Sequence, residues 1–110
     1  MVRQGDIIKV DFNPQSGHEQ EGYRPAVVIS NDFFNVKTNL TIVCPITSTN
    51  KPFPLHITLD GRTETSGVIL CEHIKALDLN ARSYKVIERL PDDILQEVIA
   101  TVFSEVEYQD

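Results

Sequence analysis

The sequence predicts a mainly β protein, a small, strongly curved SH3-like β-barrel carrying one C-terminal α-helix. Three observations point there. Apolar and polar residues alternate over several short stretches between residues 6 and 90, which is the period of strands. Turn-forming residues separate those stretches with no helix-length segment between strands, an order that argues against a βαβ sheet. Only after Pro91 does the apolar spacing become that of a helix.

From Gly5 to Phe12, Ile8, Val10 and Phe12 alternate with Lys9 and Asp11, as in a half-buried strand. Asn13-Pro14-Gln15-Ser16-Gly17 is turn chemistry, and a polar loop continues to Gly22. Pro25 to Ile29 is continuously apolar, the mark of a strand buried on both faces. Asn31-Asp32 before Phe33-Phe34 opens a single capped helical turn ahead of Asn39. Leu40, Ile42, Cys44 and Ile46 then share one strand face, with Thr41, Val43, Pro45 and Thr47 on the other.

Lys51-Pro52-Phe53-Pro54 is a loop, after which Leu55, Ile57 and Leu59 alternate with His56 and Thr58. Asp60-Gly61 is a hairpin-type turn. Gly67 to Leu77, the longest apolar stretch, reads as a central strand, bent or straight, and Tyr84 to Leu90 as the last short one. Pro91-Asp92-Asp93 opens the helix, with acids at the positive end of its dipole. Ile94, Leu95, Val98, Ile99, Val102, Phe103 and Val106 form its apolar stripe.

A chain of 110 residues is expected to be one domain, 1–110, with a real core. No apolar run approaches membrane-spanning length, and Met1 to Asp6 lacks the pattern of a signal peptide. The expected location is the cytoplasm, with Cys44 and Cys71 as buried, reduced thiols in strand-like runs. A Cys44–Cys71 disulfide is the alternative that spacing leaves open. The net charge of -6 argues at first against a nucleic-acid partner. Residues 88–110, however, hold seven acids against Arg89 alone, so residues 1–87 are formally neutral and free to carry a local cationic site.

There is no Walker A loop, Gly-x-Gly-x-x-Gly, Gly-x-Ser-x-Gly or His-Glu-x-x-His motif. Cys71 and His73 share a strand face, but no further ligands follow at zinc-like spacing, so no metal is expected. Arg24 is more informative. It stands directly before Pro25, which biases it towards extended geometry, at the end of a loop bounded by Gly17 and Gly22. Two readings are open on these residues: an ion pair with Glu19 or Glu21 that pins the loop, or a cation presented to phosphate at a strand end. Thr47 sits in the hydroxyl-rich strand exit Pro45-Ile46-Thr47-Ser48-Thr49-Asn50. Such hydroxyls satisfy local backbone groups or, beside a cation, donate to phosphate oxygens.

Read together, these motifs resemble the MazF/PemK family of toxins. The likeness begins with Gly5-Asp6-Ile7-Ile8-x-Val10-Asp11-Phe12-Asn13-Pro14 and Gly17-x-Glu19-x-x-Gly22-x-Arg24-Pro25-Ala26-Val27-Val28. It continues through Val43-Cys44-Pro45-Ile46-Thr47-Ser48, the strand after Pro52-Phe53-Pro54, and Asp60-Gly61 to Ala76. The resemblance implies a metal-independent, cofactor-free endoribonuclease of a toxin–antitoxin pair that cuts single-stranded RNA at short preferred sequences. It implies Arg24 and Thr47 as the catalytic pair and Glu19 as the acid that orients Arg24 or holds RNA. It also implies a homodimer, with RNA crossing the dimer groove and the disordered tail of a MazE-like antitoxin covering the same surface.

Metal-free RNA cleavage uses the 2′-OH as nucleophile and leaves a 2′,3′-cyclic phosphate and a 5′-OH. Arg24 would clamp the non-bridging oxygens, and Thr47 would donate to the same group. A guanidinium is a poor base, since its pKa lies above about 12. His18 is a rival for proton transfer, against the plainer reading of a solvent-exposed loop residue. Ser48 adds a hydroxyl at the strand exit, and Phe53 is placed either to stack on an unpaired base or to join the core. The competing function is a non-catalytic CcdB-like gyrase poison on a similar barrel, which would have no need of paired Arg24 and Thr47.

Overall fold

A computed structural model describes residues 1–12, 23–49 and 52–110. Seven strands, β1 (Asp6–Asp11), β2 (Tyr23–Val28), β3 (Thr41–Thr47), β4 (His56–Thr58), β5 (Val68–Leu70), β6 (Lys75–Leu77) and β7 (Tyr84–Arg89), are joined by two α-helices, α1 (Asp32–Thr38) and α2 (Asp92–Glu105), and a 3-10 turn at Leu79–Ala81. All pairings are antiparallel, in the order β4-β5-β3-β2-β1-β7, with β6 also on β3. The predicted mainly β fold with a C-terminal helix is the one observed.

The middle of the sheet is buried on both faces, and strand alternation sorts its side chains into two cores. Ile7, Val27, Cys44, Ile46 and Ile69 turn inward, where Ile94, Leu95 and Val98 of α2 cap them. Ile8, Val10, Ala26, Val28 and Val43 turn to the opposite face, beneath Leu77 and Leu79. β1 is therefore more deeply buried than its half-polar alternation suggests, with both Ile7 and Ile8 fully enclosed. Cys44 and Cys71 are free, buried thiols. Hydrogen bonding between the two thiols, followed by burial, pushes the Cys44 thiol far up.

β3 organises the sheet. One edge pairs with β2, while the other is shared, Thr41–Val43 with β6 and Ile46–Thr47 with β5. The apolar run from Gly67 to Leu77 is consequently two strands, broken at Cys71–His73, where the His73 N–H donates to the Leu70 carbonyl at 3.1 Å. The break folds β6 back along β3. The Asp60-Gly61 turn proves to be part of a longer β4–β5 connection. Glu88 of β7 holds that connection by accepting from the backbone N–H groups of Glu64 and Thr65 and from the Thr65 hydroxyl.

The expected single turn after Asn31 is a helix of 7 residues. The Asn31 side chain accepts from the Phe34 N–H at 2.9 Å, and left-handed Asn39 ends the helix. The stripe of α2 is buried at Ile94, Leu95 and Val98, but Phe103 and Val106 at its far end are 68% and 73% exposed.

Candidate active site

Arg24 enters β2 opposite Val10 of β1. β2 then pairs with β3 through Ala26–Pro45, Val27–Cys44 and Val28–Val43. Extending that register by two residues sets Arg24 opposite Thr47. Alternation turns both side chains to the face shared with Ala26, Val28 and Val43. Nearer Leu77 and Leu79 this face is covered. Towards Arg24 it opens into a cavity of about 480 Å³.

Arg24, Pro45 and Thr47 line one wall of the cavity. Phe12, Leu70 and Leu77 give it apolar surface, and His73, Lys75 and Arg82 complete the polar lining. No carboxylate is among the described residues that line it. Arg24 and Lys75 make no ion pair among the described residues. Arg82 is anchored: its Nη1 donates to the carbonyls of Asp11 and Phe12 at 3.1 and 3.3 Å, and its Nε to that of Asp78. Among the described residues the hollow thus gathers positive charge beside apolar surface, on a chain whose net charge is negative.

Thr47 is held by backbone on two sides. Its Oγ1 accepts from the Thr49 N–H at 3.2 Å, which leaves its own O–H to be donated elsewhere. Behind it lies Gly67 at φ +124, where an added Cβ would stand 2.2 Å from the Thr47 carbonyl oxygen. Only glycine permits this approach and this backbone angle together.

Of the other sequence candidates, Glu19 and His18 lie outside the described residues. Ser48 follows Thr47 as an exposed residue at the strand exit and is not among the residues lining the cavity. Phe53, half-exposed, also lies outside the lining, with its ring 5.1 Å from that of His56. The Nε2 of His56 meets Glu72 Oε2 at 2.7 Å, and the Nε2 of His73 lies 3.8 Å from the same oxygen. Burial works to raise the Glu72 carboxyl, but its hydrogen bond with His56 and the nearby imidazoles outweigh that and hold it below its ordinary value.

Sequence reasoning weighed His73 as a metal ligand or a partly buried histidine and passed over Lys75 and Arg82. One signal was present: Lys75 interrupts the longest apolar stretch of the chain, and a cation within such a run has to reach an opening.

Residues 3–104 match the family described as the PemK-like, MazF-like toxin of type II toxin–antitoxin systems. The endoribonuclease PemK of Escherichia coli is 35% identical over 102 residues, covering 89% of this chain and 77% of that protein. The endoribonuclease toxin MazF of Escherichia coli K12 is 42% identical over 78 residues, 71% of this chain and 69% of that protein. Among solved structures, MazF from Deinococcus radiodurans superposes with a TM-score of 0.82 at 37% identity, covering 96% of each chain.

Proposed function

The chain belongs to the family of PemK-like, MazF-like toxins of type II toxin–antitoxin systems, and from that premise we propose that it is an endoribonuclease cutting single-stranded mRNA at short preferred sequences. The observation that carries this reading is the cavity that Arg24 and Thr47 both line, with Arg24 making no ion pair among the described residues. A cation with no ion-pair partner among the described residues, lining a cavity that also has apolar surface, is placed for an external anion.

In this reading an RNA phosphodiester enters the cavity and Arg24 clamps its non-bridging oxygens. The free O–H of Thr47 donates to the same group, so both donors strengthen as negative charge gathers on the pentacoordinate phosphorus. The 2′-oxygen attacks, the bond from phosphorus to the 5′-oxygen breaks, and the products are a 2′,3′-cyclic phosphate and a 5′-OH. No metal or other cofactor enters this scheme. Glu19 orients Arg24 or holds RNA, His18 is a further proton-transfer candidate, and Ser48 and Phe53 extend RNA contact beyond the cavity. The toxin domain spans 1–110 and acts as a homodimer in the cytoplasm, where mRNA is found. A MazE-like antitoxin silences it by covering the same face. Among the described residues no helix is long and apolar enough to cross a membrane.

The test is incubation of the protein with mixed-sequence single-stranded RNA in excess EDTA, beside Arg24→Ala, with mapping of the ends. Discrete cuts bearing cyclic phosphates are expected, slowed by about 10²-fold or more in the variant. Intact RNA at high protein concentration would remove the ribonuclease reading.

A further inference from the structure

We propose that His73 is the acid that protonates the departing 5′-oxygen, an inference that rests on the ribonuclease reading above. The cleavage requires two proton transfers. A lone pair of the 2′-oxygen forms the new bond to phosphorus while the 2′-OH proton passes to a base or to water. The electron pair of the breaking bond stays on the 5′-oxygen, which takes a proton from the imidazolium and leaves as a hydroxyl. The neutral imidazole regains its proton from solvent. An alkoxide is a poor leaving group, so this second transfer is where an acid contributes most.

Among the described residues that line the cavity, one chemical type is able to do this. Guanidinium and ammonium groups stay protonated around neutral pH, as does an alcohol, whereas imidazole gains and loses a proton there. His73 stands on the turn after β5 and lines the same hollow as Leu70, Arg24 and Thr47, with its side chain 57% exposed. An imidazolium in that place meets the charges of Arg24, Lys75 and Arg82 in the cavity. The Glu72 carboxylate lies 3.8 Å from Nε2. Glu72 is itself steadied by His56 at 2.7 Å, and its charge helps to raise the carboxyl of Glu105. His73 thus joins a carboxylate on one side to an open, cationic phosphate site on the other. Its exposure means that substitution removes the ring without opening a hole in either core.

The experiment compares wild type, His73→Gln and His73→Ala in single-turnover cleavage of two RNAs. One is natural, and the other carries sulfur in place of the 5′-bridging oxygen at a mapped cut site. A thiolate leaves without protonation, so the sulfur substrate bypasses the proposed step. Expected are a loss of about 10²-fold or more on natural RNA, a loss of less than about tenfold on the sulfur substrate, and partial rescue of His73→Ala by added imidazole. Wild-type rates in His73→Gln on natural RNA, or equal losses on both substrates, would overturn the role of His73 while leaving the ribonuclease reading intact. A wild-type protein that leaves both RNAs whole would overturn the two together.

Discussion

Gly67 shows how closely one residue can govern the proposed chemistry without touching substrate. Its φ of +124 and the 2.2 Å that would separate an added Cβ from the Thr47 carbonyl oxygen make this the tightest glycine in the described structure. Carbonyl and hydroxyl belong to the same residue, so whatever moves the first displaces the second. Gly67→Ala is expected to destabilise the protein by about 1–3 kcal/mol, the usual cost of a backbone held where side chains are disfavoured. It should also slow RNA cleavage by at least about tenfold, because a small misplacement of a transition-state donor is costly. Urea unfolding and single-turnover cleavage measure the two effects. Full activity in a stable Gly67→Ala protein would mean that the strand exit relaxes without moving Thr47.

Near the C-terminal end of α2, Glu105 feels the charge of Glu72. Glu105 has an oxygen, Oε2, shielded from solvent with no hydrogen-bond partner among the described residues, and Glu72 has another, Oε1. Burial first, and then the negative charge of Glu72, raise the Glu105 carboxyl above its ordinary value. Between its unfolded and folded pKa values the native state therefore binds more protons than the unfolded chain. The contribution of Glu105 to stability is full at acid pH and falls as pH rises from the ordinary carboxylate range through the raised value. Glu105→Gln should accordingly stabilise the protein at neutral pH relative to wild type, with the advantage shrinking towards pH 4. Urea titrations across that range check it, and an advantage that grew on acidification would reverse the sign of the argument. The helix itself was legible in the sequence, since its 3.6-residue stripe and acidic first turn are local signals. So were β1, β2 and β3, with Arg24 and Thr47 on adjoining strands. The length of α1 was less so, because Asn35 bonds Ser30 in the folded structure, a contact that periodicity does not reveal. The break at Cys71–His73 was hidden for a similar reason: no glycine or proline marks it, and only the shared edge of β3 requires it. His73 and Lys75 reach the cavity through that break, so their place was hidden with it.

Over the whole molecule, charge and apolar surface are unevenly placed, and the two patterns bear on assembly. The cationic cavity lies on the formally neutral body of the chain, whereas the net negative charge lies in residues 88–110. A nucleic-acid strand following the positive patch would be steered away from that helix. Uncovered apolar groups nevertheless lie at the end of the α2 stripe, Phe103 at 68% and Val106 at 73% exposure, and just beyond it at Tyr108, 88% exposed. Side chains of this kind in one continuation of a core-facing stripe gain when a protein surface replaces water, by roughly 25 cal/mol for each Å² of apolar area removed. A second copy is the partner expected of a homodimer, and like charges on the acidic helices would limit how squarely two of them meet. The wild-type protein is therefore expected to sediment at twice the monomer mass at micromolar concentration, and Phe103→Asp to shift it towards the monomer. A monomeric wild type would remove the dimer. A dimer indifferent to Phe103→Asp would move the interface away from the helix end, to the strand edges of the barrel at β4 and β7, where backbone hydrogen-bonding groups can extend the sheet.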